Sequence, residues 1–301
     1  MDFANFKDLK IRCAGLGEVL FDVFPNGMKL GGAPANFAYH CTQLGFESLI
    51  VSAVGMDENG EKARNILALN YMPAFLQSVP YPTGLVYIEL DQEGVPEYNF
   101  TNDTAYDHIP TTENLLNAAR KTHVVCFGTL AQRTEDSRKT ILTFLNIMPK
   151  DQRVRIFDVN LRQNFYNQEI LTSSLEHCEV VKCNQEELAI LSEFAGLGSC
   201  SPQSYYNYVR ENYGVSCLIF TEGSLGSTIF LKDEISKLPA PKIDKLVDTV
   251  GAGDAFAAAC IGALLKGFPL KEAHAFANEV SGFVCSKEGA MPTLPYAFKL
   301  R

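Results

Sequence analysis

The sequence predicts an α/β protein, with a mainly parallel sheet covered by helices on both faces and a small β appendage. Four short apolar runs, at 124–127, 154–159, 179–181 and 217–221, read as strands separated by helical stretches. Strands buried on both faces are apolar throughout, which is the parallel-sheet pattern. A different period governs 83–101, where apolar and polar residues alternate on either side of a turn at 91–94, as in a β-hairpin. Finally, Gly251, Ala252 and Gly253 open an Ala-rich run that stops at Gly267 before Pro269, the composition of a buried helix.

Composition bounds the rest. At 301 residues, 47% hydrophobic and 20% charged, the chain is expected to bury one large core as a single unit over 1–301. A formal charge of −9 without any basic cluster argues against a nucleic-acid surface, which needs clustered Lys and Arg to neutralise phosphates. Nine cysteines, an odd number with no C-x-x-C pair, suit reduced thiols better than a disulfide framework, and Cys178 and Cys183 fit neither a zinc knuckle nor a redox pair. The first ten residues hold no apolar signal core, and no run reaches the roughly 18 apolar residues of a membrane span, so a cytoplasmic protein is expected. Its five histidines show no metal spacing, and no Ser-His-Asp order stands out.

In chain order, 11–23 reads as strand, glycine break and second strand, ending in the turn Pro25-Asn26-Gly27. Asp22 is a lone carboxylate in that apolar run; it either points outward from an edge strand or binds a ligand. Gly31-Gly32 makes a tight turn into a helix over 33–44 stopped by Gly45, with Asn36 in its first turn as either a cap or a ligand to a hydroxyl group. A buried strand is expected at 47–54 and a helix at 59–70. Beyond the hairpin, each strand of the parallel sheet ends in polar residues, at 128–132, 158–162, 184–187 and 221–226. Ligands of such sheets collect at the carboxyl ends of the strands, so these segments are expected to face one crevice.

At that crevice the 251–253 loop is a helix N-terminus suited to an anion, because unpaired amides and the positive end of the helix dipole converge there. Asp254 beside it either caps the helix or takes a proton from a hydroxyl attacking phosphorus. Read from the residues alone, Arg162 is as well explained as an ion-pair partner of Asp158, and Asn184-x-x-Glu187 as an N-cap followed by a first-turn acid. Thr221-x-Gly223-x-x-Gly226 lets backbone approach phosphates but lacks the Lys-Ser/Thr of a Walker A loop.

Two stretches carry a resemblance. The segment from Asp248 to Phe256 resembles the C-terminal signature of the ribokinase-like (PfkB) carbohydrate kinases. The run from Gly31 to Ala38, with Leu44-Gly45 and 54–60, resembles their N-terminal signature. Within the family the chain looks most like the fructokinases. The likeness runs from about residue 11 to 295, departing at Val250, where many relatives have Thr, and over the first ten residues.

The resemblance implies a three-layer α/β/α domain with a β lid formed by about 19–30 and 81–105. It implies an ATP-dependent kinase acting on a primary hydroxyl of a small sugar, fructose first, with ribose, 2-keto-3-deoxygluconate or a nucleoside as alternatives; a non-catalytic sugar or nucleotide sensor on the same fold is a further one. Asp254 would be the base and Gly251, Ala252 and Gly253 the anion hole. Asp22, Gly31, Gly32, Asn36, Tyr98 and Arg162 would hold the sugar, although Tyr98 serves equally as packing within the hairpin. Asn184, Thr221, Gly223, Gly226 and Asn278 would take ATP, and Glu187 would act on Mg2+ through water. Potassium would sit at Asp248, Val250, Gly289 and Thr293, mainly on backbone oxygens. A homodimer is expected through the hairpin, on a face that includes Val86 and Ile88, because a few isolated strands cannot bury a face alone.

Overall fold

The computed structural model describes residues 3–6, 9–25, 27–90 and 96–300. Its large sheet contains β1 (Arg12–Leu16), β4 (Glu47–Gly55), β5 (Ala74–Val79), β8 (Val124–Phe127), β9 (Val154–Asp158), β10 (Val180–Asn184), β11 (Cys217–Thr221), β12 (Ser227–Leu231) and β13 (Glu234–Leu238). Their order is β13-β12-β11-β10-β9-β8-β1-β4-β5, parallel from β11 to β5, with β12 and β13 added antiparallel at one edge. The smaller sheet contains β2 (Leu20–Phe24), β3 (Gly27–Gly31), β6 (Gly84–Leu90) and β7 (Pro96–Phe100), ordered β3-β2-β6-β7. The hairpin turn expected at 91–94 lies outside the described residues.

Strand alternation persists even where every residue is apolar. In β11, Leu218 and Phe220 enter one core while Cys217 and Ile219 enter the other. The first core lies under α3 (Glu113–Ala119), α4 (Glu135–Ile147), α5 (Gln168–Glu176), α6 (Gln185–Phe194) and α7 (Pro202–Tyr213). The second lies under α1 (Ala33–Gln43), α8 (Ala252–Leu265) and α9 (Leu270–Cys285). This gives the expected three layers, and every residue of α8 from Asp254 to Leu265 is buried. A helix apolar on all sides is stable only inside such a core, so the N-terminus of α8 is fixed from behind by α1 and α9. No helix among the described residues is long and apolar enough to cross a membrane.

β5, β12 and β13 are additions to the strands read from sequence. All three lie towards the edges of the sheet; β5 and β13 mix exposed with buried positions, which breaks the continuous apolar run that marked the central strands. The second helix, α2 (Glu58–Leu69), starts at Asp57, whose carboxylate accepts from the Gly60 amide and from both the amide and the hydroxyl of Thr83. One side chain thus caps a helix and anchors the chain as it enters the small sheet.

The hairpin also has more partners inside the chain than the sequence suggests, since β6 pairs in parallel with β2. Its expected joining face is corrected by that register. Val86 pairs with Asp22 and Phe100 and is 1% exposed, and Ile88 packs against the main core. These side chains face the body of the protein. The opposite face carries Tyr87, in register with Val23 and Asn99, and Tyr87 is 44% exposed.

Candidate active site

The N-terminus of α8 is built on Gly251, with φ 75°. A Cβ there would stand 2.7 Å from that of Ala290 and 2.8 Å from the Ala290 carbonyl oxygen, so both conformation and space demand glycine. No side chain caps the helix, although the Ala252 amide donates to the Thr249 carbonyl at 3.3 Å. Under this turn lies Lys182, whose Nζ donates to both oxygens of Asp158 at 2.8 Å; a Cβ on Gly253 would come within 3.2 Å of that nitrogen. Asp158 therefore pairs with Lys182, replacing the Asp158–Arg162 pair that spacing suggested.

Asp254 is buried, and its Oδ2 accepts from Asn36 Nδ2 at 2.8 Å. Neither residue is a cap. The N-cap of α1 is Gly32 and that of α8 is Gly251, so both side chains are free for the crevice. Burial pushes the Asp254 carboxyl up to about 6; Lys182 opposes the rise, Asp158 adds to it, and the Asn36 bond and Arg162 oppose it.

Asp22 lies on an inner strand of the small sheet, between β3 and β6, rather than on an edge. Its Oδ2 is so close to Gly31 that a Cβ there would sit 2.6 Å away. Burial raises its carboxyl to about 6, with Arg162 and Lys29 lowering it and Asp248 raising it. Arg162 makes one hydrogen bond, Nη1 to the Leu161 carbonyl at 3.0 Å, and no ion pair among the described residues. Its positive field nevertheless reaches Glu18, Asp22 and Asp254. A guanidinium that acts on three carboxylates without pairing with any of them keeps donors free for a ligand. Tyr98 borders it from the small sheet, 43% exposed, its carbonyl accepting from Gln163 Nε2 at 2.7 Å.

On the other side of the α8 turn is a cavity of about 540 Å³, lined by Thr221, Gly223, Gly226 and Asn278 together with Ala252 and Gly253. It is large enough for a nucleotide. Nothing within 4 Å would meet a Cβ on Gly223, so the backbone of that turn is open to a ligand. Asn278 donates from Nδ2 to the Pro239 carbonyl at 3.1 Å. Asn184 and Glu187 do form a capping box: Asn184 Oδ1 accepts the Glu187 amide, Glu187 Oε2 accepts the Asn184 amide, and Glu187 Oε1 accepts the Leu161 amide at 3.0 Å. The box joins α6 to the loop carrying Arg162, and burial raises the Glu187 carboxyl.

Asp248 closes the rear of the turn. Its Oδ1 accepts the Val250 amide and its Oδ2 the Gly289 amide, both at 3.0 Å, holding the 248–250 loop against the 289–293 tail. His40 Nε2 donates to the Ala290 carbonyl at 2.9 Å, and burial lowers the ring to about 4, so it is neutral at pH 7. Thr293 hydrogen-bonds Tyr39 within the same tail.

Sequence reasoning missed two groups at the centre. Lys182 is the only charged residue of β10, and a lone Lys in a buried strand was the available signal. Glu18, in the break between β1 and β2, is 2% exposed and was hidden by the motif-like glycines around it.

A helix N-terminus without a side-chain cap, between a nucleotide-sized cavity and a buried carboxylate, is the arrangement that phosphoryl transfer on an α/β fold needs. The chain belongs to the pfkB family of carbohydrate kinases, which it matches over residues 7–297. It is 29% identical over 304 residues to a fructokinase of Klebsiella pneumoniae, covering 93% of this chain and 95% of that one. An uncharacterized sugar kinase of Pyrococcus horikoshii in complex with ATP superposes with a TM-score of 0.77 at 26% identity, covering 93% of this chain and 94% of that one. A Vibrio cholerae O395 fructokinase in its fructose, ADP and calcium bound form has the same fold, with TM-score 0.79, 21% identity and coverage of 96% and 99%.

Proposed function

We propose that this sugar kinase transfers the γ-phosphoryl group of ATP to a primary hydroxyl of a small sugar, fructose first. The whole chain acts as one domain whose small sheet is the lid. The observation that carries the reading is Asp254: a buried carboxylate held by Asn36 at the first turn of α8, with a carboxyl near 6. A base of that pKa is ionised at pH 7 yet basic enough to accept a hydroxyl proton as the oxygen attacks phosphorus. Asp22, Gly31, Gly32, Asn36, Tyr98 and Arg162 orient the sugar. Thr221, Gly223, Gly226 and Asn278 receive the nucleotide, and the amides of the 251–253 turn receive the transferring group. Asn184 and Glu187 are assigned to the phosphates and to Mg2+, which, when bound, neutralises charge on the phosphate oxygens. We assign the protein to the reducing cytoplasm, where free thiols such as its nine cysteines persist.

An ADP-release screen across fructose, ribose, 2-keto-3-deoxygluconate and nucleosides tests the reading. Turnover ranked highest for fructose supports it, a different best substrate reassigns the sugar, and no turnover on any of them leaves the sensor.

Potassium is assigned to the backbone oxygens of Asp248, Val250, Gly289 and Thr293, next to the anion-binding turn. Replacing potassium by sodium or by a bulky organic cation should lower activity severalfold at saturating substrates; indifference in a steady-state assay removes the cation from the scheme.

The lid's outer face suits a second copy. Light scattering at micromolar concentration should give a dimer for the wild type and a monomer for the Val23→Lys/Tyr87→Lys variant, because the two residues are paired on the face where Tyr87 is 44% exposed. A monomeric wild type, or a dimer indifferent to both lysines, rules this interface out.

A further inference from the structure

Glu18 touches the substrate-facing turn in two ways. Its Oε1 accepts the Ala33 amide at 3.3 Å. Its own carbonyl packs so tightly under Gly32, where φ is 116°, that a Cβ there would come within 2.3 Å. The turn so held presents Gly31 and Gly32 and leads directly into Asn36, the residue that holds Asp254. The other carboxyl oxygen, Oε2, is buried and has no hydrogen-bond partner. Leaving a full negative charge on such an oxygen is costly, because an ion out of water needs donors around it.

The charged and titratable groups that face Glu18 come from every neighbouring element. Arg162 and Asp254 act on it directly, and it acts in turn on Arg133, Tyr106 and Cys126. Arg133 is paired with Asp107 through Nε at 2.7 Å and Nη2 at 2.6 Å, its buried Nη1 makes no hydrogen bond to Glu18 or to any other described group, and Arg162 contacts none of the carboxylates. Among the described residues no cation pairs with Glu18.

We infer that Glu18 is a positioning residue for the transfer reaction that works in its neutral form: Oε1 pins the Gly31–Gly32 turn, and the retained proton keeps a second negative charge away from Asp254 and the incoming phosphates. The inference rests on the kinase reading above. Burial, opposed by the Ala33 amide and Arg162, pushes this carboxyl up to about 7. As pH rises past that point Glu18 becomes anionic. The new charge repels the phosphates and the ionised Asp254, so activity should decline on the alkaline side.

The experiment is a pair of pH–rate profiles, for wild type and Glu18→Gln, with the sugar that the wild type phosphorylates best, together with KM for sugar and for ATP in Glu18→Ala and Glu18→Asp. Gln keeps the acceptor for Ala33 and has no proton to lose. Its alkaline limb should move up by about one pH unit or vanish. Ala and the shorter Asp release the Ala33 amide and should raise the sugar KM about tenfold with the ATP KM unmoved. If Ala does not fold, Asp and Gln carry the test. A Gln profile that superimposes on the wild type, or sugar and ATP KM values that rise together, overturns the role. A wild type inert toward every sugar overturns the kinase reading and this role with it; an active wild type with unaltered variants overturns only this one.

Discussion

Asp254→Asn should lower kcat by about 10³-fold while ATP and sugar still bind, the usual range for removing a positioned general base. The substitution keeps shape. An amide oxygen at position 254 can still accept from Asn36 Nδ2, and the helix loses no cap, since Gly251 is the N-cap and no side chain caps the turn. What disappears is the basic lone pair aimed at the substrate hydroxyl. In the wild type kcat/KM should rise with pH through about 6 as Asp254 ionises, and the variant's residual rate should lack that limb.

Stability separates this from a structural role. The folded Asp254 carboxyl is raised above its ordinary value, so its contribution is fully present below the unfolded pKa of about 4 and is lost as pH rises through about 6. At pH 8 the wild type therefore carries a buried charge that costs on the order of 3 kcal/mol. Asp254→Asn should melt no lower than the wild type at pH 8, and thermal melts beside steady-state rates check it. Loss of activity in step with loss of stability, or a kcat within about tenfold of wild type, would transfer the base role elsewhere.

Central strands were legible because burial on both faces removes polar residues, as in Val124–Phe127 and Cys217–Thr221. The helix α8 was legible because small residues and alanine must enclose it on all sides. Edge strands were not, since β13 exposes Ile235 and Glu234 and carries no continuous apolar run. In the site, the glycines were the readable part: Gly251 and Gly32 are imposed by backbone geometry, which leaves a local trace. Charge pairing leaves none. Spacing offered Arg162 as the partner of Asp158, whereas the parallel register of β9 and β10 sets Lys182 directly beside Asp158. Glu187 shows the converse, a motif whose observed capping role leaves room for the proposed ligand role, because each oxygen that accepts an amide has a second lone pair.

Lys182→Met should destabilise the protein by about 3–5 kcal/mol, the range for breaking one side of a buried ion pair. The Lys182 and Asp158 side chains are only 11% and 4% exposed, and the lysine serves both Asp158 oxygens at 2.8 Å. Without it, Asp158 is left as a buried carboxylate close to Asp254 and Glu187, on which its negative charge already acts. Burial opposes the ammonium, but Asp158 and Asp254 together hold Lys182 firmly protonated. Methionine keeps most of the packing volume, so the loss reports charge rather than a cavity. Adding Asp158→Asn should recover much of the stability, since the orphaned charge goes too. Activity should not recover, because Lys182 lies under Gly253 and is the foremost positive influence on Asp254. With that influence gone the Asp254 carboxyl rises further, and the acid limb of the pH–rate profile should move up in the single variant and by less in the double variant, where the charge of Asp158 that raises Asp254 is removed as well. Urea melts and rate profiles of the three proteins decide it: a single variant within about 1 kcal/mol of wild type contradicts the buried-pair account, and an unmoved acid limb detaches Lys182 from the chemistry.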